Sequence, residues 1–520
     1  MFPKTLIAQL NLHLDNILGS LKYLAPELLL TGLFVGLIVL DLVFSTRTKL
    51  KAHKKEILWW ISLAGLCMVT LLLLAQFQLI EKKAPKSIFL GLLTLDTLSI
   101  KFRLVIVASG IFTLLISRNS RLFNPVDDHK TFHFRGEYFT ILLAMMLGLH
   151  ILTMTAHLLM IYVAIELVSI SSYILTILYF HKKGVEGALK YLLFGAFASG
   201  LMIYGMSWFY GLNGHLDLAA FHLNVTSSSQ LLYGLALLLI VAGFLFKISA
   251  VPFHFWTPDA YQAAPTPVVA FFSLAPKIAL LVVLMQMRLM DAISPSTQAL
   301  VDQMIYLGGW IAILTVLVGN FTALWQQNVK RLMAYSSIAH VGVLLMAWMD
   351  WRTVSHTHLL FYLAVYTFMN FGAFLGIEMV ARNFKDEENP YALKHYMGIG
   401  AQAPLVGVCF VILMIALTGL PPTVGFQAKL FIFSGLWENY QAQSNSIYLW
   451  TLIAGIFTTA VSLFYYLRIP FLMFFKNAES QDSDTHQLTF SRFDQILLVI
   501  FSVAVVALFF GAGWLFELLK

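Results

Sequence analysis

Apolar runs of about twenty residues recur about 14 times along this chain, and only short polar stretches separate them. A run of that length crosses the hydrocarbon core of a bilayer as one helix. The runs lie near 23–44, 57–80, 97–117, 137–154, 156–180, 184–210, 231–256, 266–289, 301–321, 331–349, 355–380, 403–435, 447–473 and 494–518. In lipid the backbone has to satisfy its own hydrogen bonds, so such a chain folds as a bundle of spanning helices. Only 11% of the 520 residues are charged, against about 25% in a soluble protein. The expected fold class is an all-α polytopic membrane protein. The fourth and fifth runs are the hardest to separate, because almost no loop joins them. No cleavable signal peptide is expected. The first long run follows Pro26-Glu27 and has no small-residue cleavage site.

The formal net charge of +7 does not point to nucleic acid, because no basic run is interleaved with aromatics. Loop charge instead reports orientation. Odd-numbered loops hold roughly 18 Lys and Arg, and the termini with the even-numbered loops about 8. The loop with Arg47, Lys49, Lys51, Lys54 and Lys55 is therefore expected on the cytoplasmic side, and both termini on the outer side. Lys82, Lys83 and Lys86 argue the other way and are outvoted. Cys67 and Cys409 lie in apolar runs and no CxxC or Cys/His pattern exists, so no iron–sulfur, zinc or haem site is expected. The longest polar loops, 381–402 and 474–493, are too short for a soluble domain.

Two spans carry interruptions. In the seventh, Lys247 lies five residues before Pro252. Proline removes a backbone donor, which frees the carbonyl of Ile248. In the twelfth, Pro421 and Pro422 free the carbonyls of Leu417 and Thr418, and Lys429 follows. Broken backbone at membrane depth survives only where protein buries it or water lines it. The two breaks are five spans apart. Successive spans alternate direction, so a five-helix repeat is necessarily inverted, and paired interruptions point to a transport path between such repeats. Segments 137–289 and 301–473 are the expected repeats, flanked by 1–136 and 494–518. Lys247 precedes its proline and Lys429 follows its pair, so the symmetry is expected in the backbone rather than in the charges.

Ionisable groups in mid-span are functional candidates by default. Glu166 lies near the centre of the fifth span, with Ser169 and Tyr173 on the same face. Lys190 is about two turns inside the sixth span, a candidate partner for Glu166 or a side chain that snorkels to the surface. Lys277 follows Pro276 near the middle of the eighth span. Lys247 and Lys429 complete the set. His254 and His340 are weaker candidates, since a lone histidine on an apolar helix is more often hydrogen-bonded structure; Ser336 and Ser337 lie one turn from His340. Glu27, Asp41, Asp96, Lys101, Arg103, Glu378 and Arg468 fall near span ends and read as anchors or structural ion pairs. Burial disfavours an ammonium without a partner, and a carboxylate within about 4 Å stabilises it by roughly 4 kcal/mol at an effective dielectric of 20. Small changes in separation or hydration therefore load or unload a proton. Na⁺ is served less well, since hard cations want several oxygen ligands.

In these residues the chain resembles the antiporter-like membrane subunits of respiratory complex I, the proton-pumping NADH:quinone oxidoreductase, and most of all its N-type members. The resemblance runs from Pro26-Glu27 through the last span. Its most specific stretch is KISAVPFHFWTPDAYQAAPTPVVAFFS (247–273), supported by QQNVKRLMAYSSIAHVG (326–342) and TGLPPTVGFQAKLFIF (418–433). The M-type, L-type and Mrp subunits typically carry an LP-[DE]-A stretch where this chain has Thr257-Pro258-Asp259-Ala260. The resemblance implies 14 helices with inverted repeats at helices 4–8 and 9–13. It implies proton-path roles for Glu166, Lys190, Lys247, Lys277 and Lys429. Lysine at the twelfth-helix position fits the N type, where the M type has glutamate. FMN, iron–sulfur clusters and quinone are implied on other subunits, with no cofactor here. Implied partners are the M-type subunit, the small K- and J-type subunits and membrane lipid, in a bacterial inner membrane.

The expected function is thus proton translocation within complex I, with no bond chemistry on this chain. The competing readings are an Mrp-type cation/proton antiporter subunit uncoupled from redox, and a structural subunit with degenerate channels. The TPDAYQAAPTPV stretch argues against the first, and the full set of buried charges against the second.

Overall fold

The computed structural model describes residues 4–46, 53–80, 85–123, 135–179, 182–218, 229–289, 295–350, 354–384, 389–476 and 488–520. The loop charges Arg47, Lys49, Lys51, Lys82, Lys83, Lys385, Asp386, Glu387 and Glu388 lie outside them. The chain is a helical bundle. Its helices are α1 (Lys4–Leu21), α2 (Ala25–Thr46), α3 (Lys54–Ile80), α4 (Thr97–Ser117), α5 (Arg135–Met154), α6 (Leu158–Thr176), α7 (Lys182–Asn213) and α8 (Gln230–Ile248). They continue with α9 (Trp256–Ala263), α10 (Thr266–Phe272), α11 (Ala275–Leu289), α12 (Pro295–Leu324), α13 (Val329–Met349), α14 (Val354–Asn383) and α15 (Ile399–Gln402). The last five are α16 (Pro404–Thr418), α17 (Val424–Gln443), α18 (Ser446–Phe475), α19 (Arg492–Phe510) and α20 (Ala512–Leu519).

Thirteen spans among the described residues are long and apolar enough to cross a membrane. The expected twelfth span is the one missing from that set. Its backbone stops at Thr418 and restarts at Val424, so neither half meets the requirement alone. The fourth and fifth spans do separate, at residues 155–157. Hydropathy did not reveal helix α1, nor a short hairpin pairing β1 (Lys86–Ile88) with β2 (Leu93–Leu95). The 155–158 link is satisfied from two sides: Ala156 donates to the Leu92 carbonyl of the hairpin turn at 3.2 Å, and Leu158 to the Leu216 carbonyl, beyond the end of α7, at 2.9 Å.

Three spans form the centre. Thr266–Met287, Val329–Met349 and His356–Asn383 are 94%, 94% and 89% buried, against 33% for Arg492–Phe510. Lys277 and His340 ride on the first two of these. Lipid tails are as apolar as leucine, so helices here associate by close packing, which small residues permit. Gly342 of α13 shows the point. A Cβ there would lie 2.8 Å from the Val316 nitrogen of α12.

Candidate functional site

The two breaks share a backbone design. Helix α8 ends in Ser249 at φ 68°, followed by a cis peptide at Val251-Pro252; α16 ends in Gly419 at φ 83°, followed by a cis peptide at Pro421-Pro422. The left-handed residue stands three positions before the cis proline in both. The carbonyls at the two breaks are satisfied differently. At the first, the Phe246 carbonyl, not the Ile248 carbonyl expected to be freed, accepts from the Trp256 indole at 3.0 Å and from the Ser249 nitrogen at 3.1 Å. In the second break Lys429 Nζ donates to the Thr418 carbonyl at 2.8 Å, one of the two carbonyls expected to be freed by the prolines.

The first cluster surrounds Lys247. The side chain is buried, and Nζ donates to the Tyr173 hydroxyl at 3.3 Å. The Tyr173 and Tyr191 rings flank it with centroids at 5.0 and 5.1 Å. The hydroxyl of Ser172 bonds Tyr191 at 3.1 Å. Glu166 accepts from Ser199 at 2.5 Å. The face expected to hold Glu166, Ser169 and Tyr173 thus reaches Lys247 through its tyrosine. Lys190, the candidate partner of Glu166, is not paired with it. Its Nζ lies 2.8 Å from Glu186 and 2.9 Å from Asp259. The reason is geometric: Gly187, one turn earlier on α7, brings that helix against the Asp259 backbone of α9.

The second cluster surrounds Lys277. A third interruption, between α10 and α11, sits directly before it. Pro276 lacks the donor that would continue the helix from Phe272, a signal the spacing of apolar runs concealed. Lys277 Nζ donates to Ser337 Oγ at 2.5 Å and to the Ser337 carbonyl at 3.1 Å. Asn370 of α14 closes the interruption, donating to Ser273 Oγ at 2.7 Å and to the Ala270 carbonyl at 3.1 Å. The buried hydroxyls of Tyr261 and Tyr366 have no hydrogen-bond partner among the described residues.

The third cluster surrounds His340. Its Nδ1 lies 2.5 Å from the Tyr362 hydroxyl and its Nε2 lies 3.1 Å from that of Tyr466, which also bonds Ser336. The Tyr366 ring packs on the imidazole with centroids 4.5 Å apart. His340 and Lys429 line one narrow cavity together with Asn320, Ser462, Tyr465 and Tyr466. Its room for the centre of a water-sized sphere is about 10 Å³, near the minimum for one water molecule. His254 sits in the first break with its ring against Phe255, and its Nδ1 has no partner among the described residues.

Lys247, Lys277 and Lys429 therefore donate to neutral hydroxyls and carbonyls, and among the described residues none forms an ion pair with a carboxylate. Among the other buried charges, Glu27 has charged neighbours. Glu27 accepts from Arg103 at 2.8 Å and lies 3.1 Å from His150; the first two were expected as a structural pair or anchors, and His150 was not foreseen. Glu378 accepts from Ser120 Oγ and the Arg121 nitrogen. Lys330 was missed outright. It is buried in the first turn of α13, where a cation opposes the helix dipole, and donates to the Gln262 and Ala264 carbonyls with the Tyr391 ring at 4.5 Å. The tenth apolar run starts at 331, so hydropathy alone places Lys330 in the preceding loop.

Comparison with known proteins follows the same lines. Residues 155–459 match the family described as NADH:quinone oxidoreductase/Mrp antiporter, TM. A subunit N of NADH-quinone oxidoreductase from Chlorobium chlorochromatii is 37% identical, over 92% of this chain and 89% of the relative. A subunit N 2 from Chloroherpeton thalassium is 34% identical, over 95% and 93%. The structure of respiratory complex I from Thermus thermophilus contains a chain that superposes with a TM-score of 0.73 at 28% identity, covering 95% of this chain and 98% of that one. This chain belongs to the NADH:quinone oxidoreductase/Mrp antiporter transmembrane family, within its NADH-quinone oxidoreductase subunit N branch.

Proposed function

We propose that this chain is a proton-translocating membrane subunit of an NADH:quinone oxidoreductase, and that Glu166, Lys247, Lys277, His340 and Lys429 carry the protons. The observation that carries the reading is the environment of the three lysines. Each is buried and each donates to a neutral acceptor. A buried amine without a direct ion-pair partner changes protonation when charge or water nearby changes. Hydroxyls extend the path: Tyr173 joins the Glu166 face to Lys247, Ser337 holds Lys277, and Tyr466 joins Ser336 to His340. The unpartnered hydroxyls of Tyr261 and Tyr366 support hydration between the second and third clusters, since buried polar groups are satisfied by water where protein does not reach them.

In this reading the shared backbone of the two breaks marks inverted repeats over helices α5–α11 and α12–α18. FMN, iron–sulfur clusters and quinone sit on other subunits, and no cofactor is held here. The chain contacts M-type, K-type and J-type subunits in a bacterial inner membrane, with both termini on the outer face. Lys247→Ala tests the reading. In proteoliposomes the assembled complex should oxidise NADH while proton uptake falls at least several-fold. Unchanged pumping would remove Lys247 from the path. A complex that migrates without NADH dehydrogenase activity and moves Na⁺ against protons would instead favour the Mrp-type antiporter.

A further inference from the structure

The half-helix α9 restarts the seventh span after its break, and it is tied on two sides by charge. On one side Lys190 of α7 donates to Asp259 Oδ2 at 2.9 Å. On the other, Arg331 of α13 donates to Asp259 Oδ1 at 2.6 Å and to Gln262 Oε1 at 3.0 Å. The neighbouring Lys330 donates to the carbonyls of Gln262 and Ala264 at the end of α9. One carboxylate thus joins a helix of the first half to a helix of the second, and α9 is the piece between them.

What α9 positions is the wall of the Lys247 site. Its first residue, Trp256, stacks on Tyr191 with centroids 3.9 Å apart and planes 4° apart. The same indole holds the Phe246 carbonyl, one residue before Lys247. Tyr191 adjoins Lys190 in sequence and flanks Lys247. On the far side, α13 carries Ser337, which holds Lys277, and His340, itself a group of the proposed path. A shift of α9 is therefore felt at Lys247, and a shift of α13 is felt at α9.

Lys190 differs in kind from the other lysines. Its side chain is 43% exposed and lies between two carboxylates, whereas Lys247, Lys277 and Lys429 are at most 7% exposed and face neutral groups. Arg331, the matching cation, cannot give up its proton at all. Both cations on Asp259 do their work by remaining charged.

We propose that Lys190, Asp259 and Arg331 form a positioning ion triad that couples the Lys247 site to α13, and that Lys190 keeps its proton rather than passing it on. This removes Lys190 from the proton path to which the resemblance assigned it, and it rests on the relay reading of Lys247. The triad acts through α9, so Asp259 is a positioning residue and touches no transported proton.

The test is proton uptake per NADH oxidised by the purified complex in proteoliposomes, with assembly checked on native gels. Lys190→Arg keeps the pair and cannot release a proton, so it should pump within about two-fold of the parent. Asp259→Glu should also retain most of the pumping. Lys190→Met and Asp259→Asn should each lose pumping several-fold, and the double variant should be no worse than the worse single, because both break one unit. Loss of pumping in Lys190→Arg, or losses that multiply in the double variant, would overturn the triad. If the charge-removing variants do not assemble, Lys190→Arg and Asp259→Glu still decide: retained pumping supports the triad and lost pumping overturns it. Lys247→Ala in the same preparation separates the two claims. Normal pumping there overturns the relay and the triad together, whereas a defect there combined with loss in Lys190→Arg overturns only the triad.

Discussion

Ser337 gives the most direct measure of how a buried lysine is held. Its hydroxyl lies 2.5 Å from Lys277 Nζ, and the only other acceptor for that amine among the described residues is the carbonyl of the same serine at 3.1 Å. Ser337→Ala removes the side-chain bond and leaves the carbonyl. A hydrogen bond to a charged group is worth about 1.5–3 kcal/mol. The neutral amine keeps a bond worth about 0.5–1.5 kcal/mol, so the difference is about 1–1.5 kcal/mol, and at 1.36 kcal/mol per tenfold change the ratio of charged to neutral Lys277 shifts by roughly one power of ten. The alanine leaves a gap about the size of a hydroxyl, so packing changes little. In the proposed function electron transfer takes place on other subunits, so NADH oxidation by an artificial acceptor should be unaltered. Proton uptake per NADH in proteoliposomes should fall on the order of ten-fold, and Ser337→Thr, which keeps a hydroxyl, should recover most of it. Wild-type pumping in Ser337→Ala would refute the claim that this hydroxyl sets the charge of Lys277. An equal defect in the threonine variant would point to packing instead.

Two further substitutions separate path from scaffold. Tyr466→Phe removes the hydroxyl that joins Ser336 to His340 Nε2; at about 0.5–1.5 kcal/mol for each neutral bond lost, pumping per NADH should drop several-fold with normal assembly on native gels. Arg103→Ala strips the buried partner of Glu27 at a cost of about 3–5 kcal/mol, so the yield of assembled complex should fall sharply while whatever assembles keeps its parent ratio of protons to electrons.

The bundle could be read from hydropathy because each span has to be apolar over its whole length, and the breaks could be read because proline removes a donor wherever it stands. The pairing of side chains was less accessible. Glu166 and Lys190 looked like partners because both are ionisable and lie on successive spans. In the fold Lys190 turns to Asp259, 69 positions on, and no local pattern announces a contact at that range. Lys330 and His150 were missed for a related reason. A polar residue near the end of an apolar run has the composition of an interfacial anchor whether it meets solvent or another helix. The interruption before Lys277 stays hidden because apolar residues flank it closely on both sides, and only Ser273 and Pro276 mark the spot.

The two breaks use one backbone device to different electrical ends. Each ends a half-helix in a left-handed residue with a cis proline three positions on. At the first, the carbonyl of Phe246 is held by an indole N–H, which does not titrate. The lysine there stands apart and faces a hydroxyl and two rings. At the second, the carbonyl of Thr418 is held by the lysine itself. A charged Lys429 binds that carbonyl dipole more strongly than a neutral amine does, because charge-assisted bonds are about twice as strong. In the proposed relay, protonation of Lys429 should strengthen the bond it gives at the second break, whereas the donors at the first, an indole and a backbone N–H, do not titrate. In the proposed relay the two breaks thus differ in the donors that hold their carbonyls, an indole and a backbone N–H at one and a titratable amine at the other, although the backbones match.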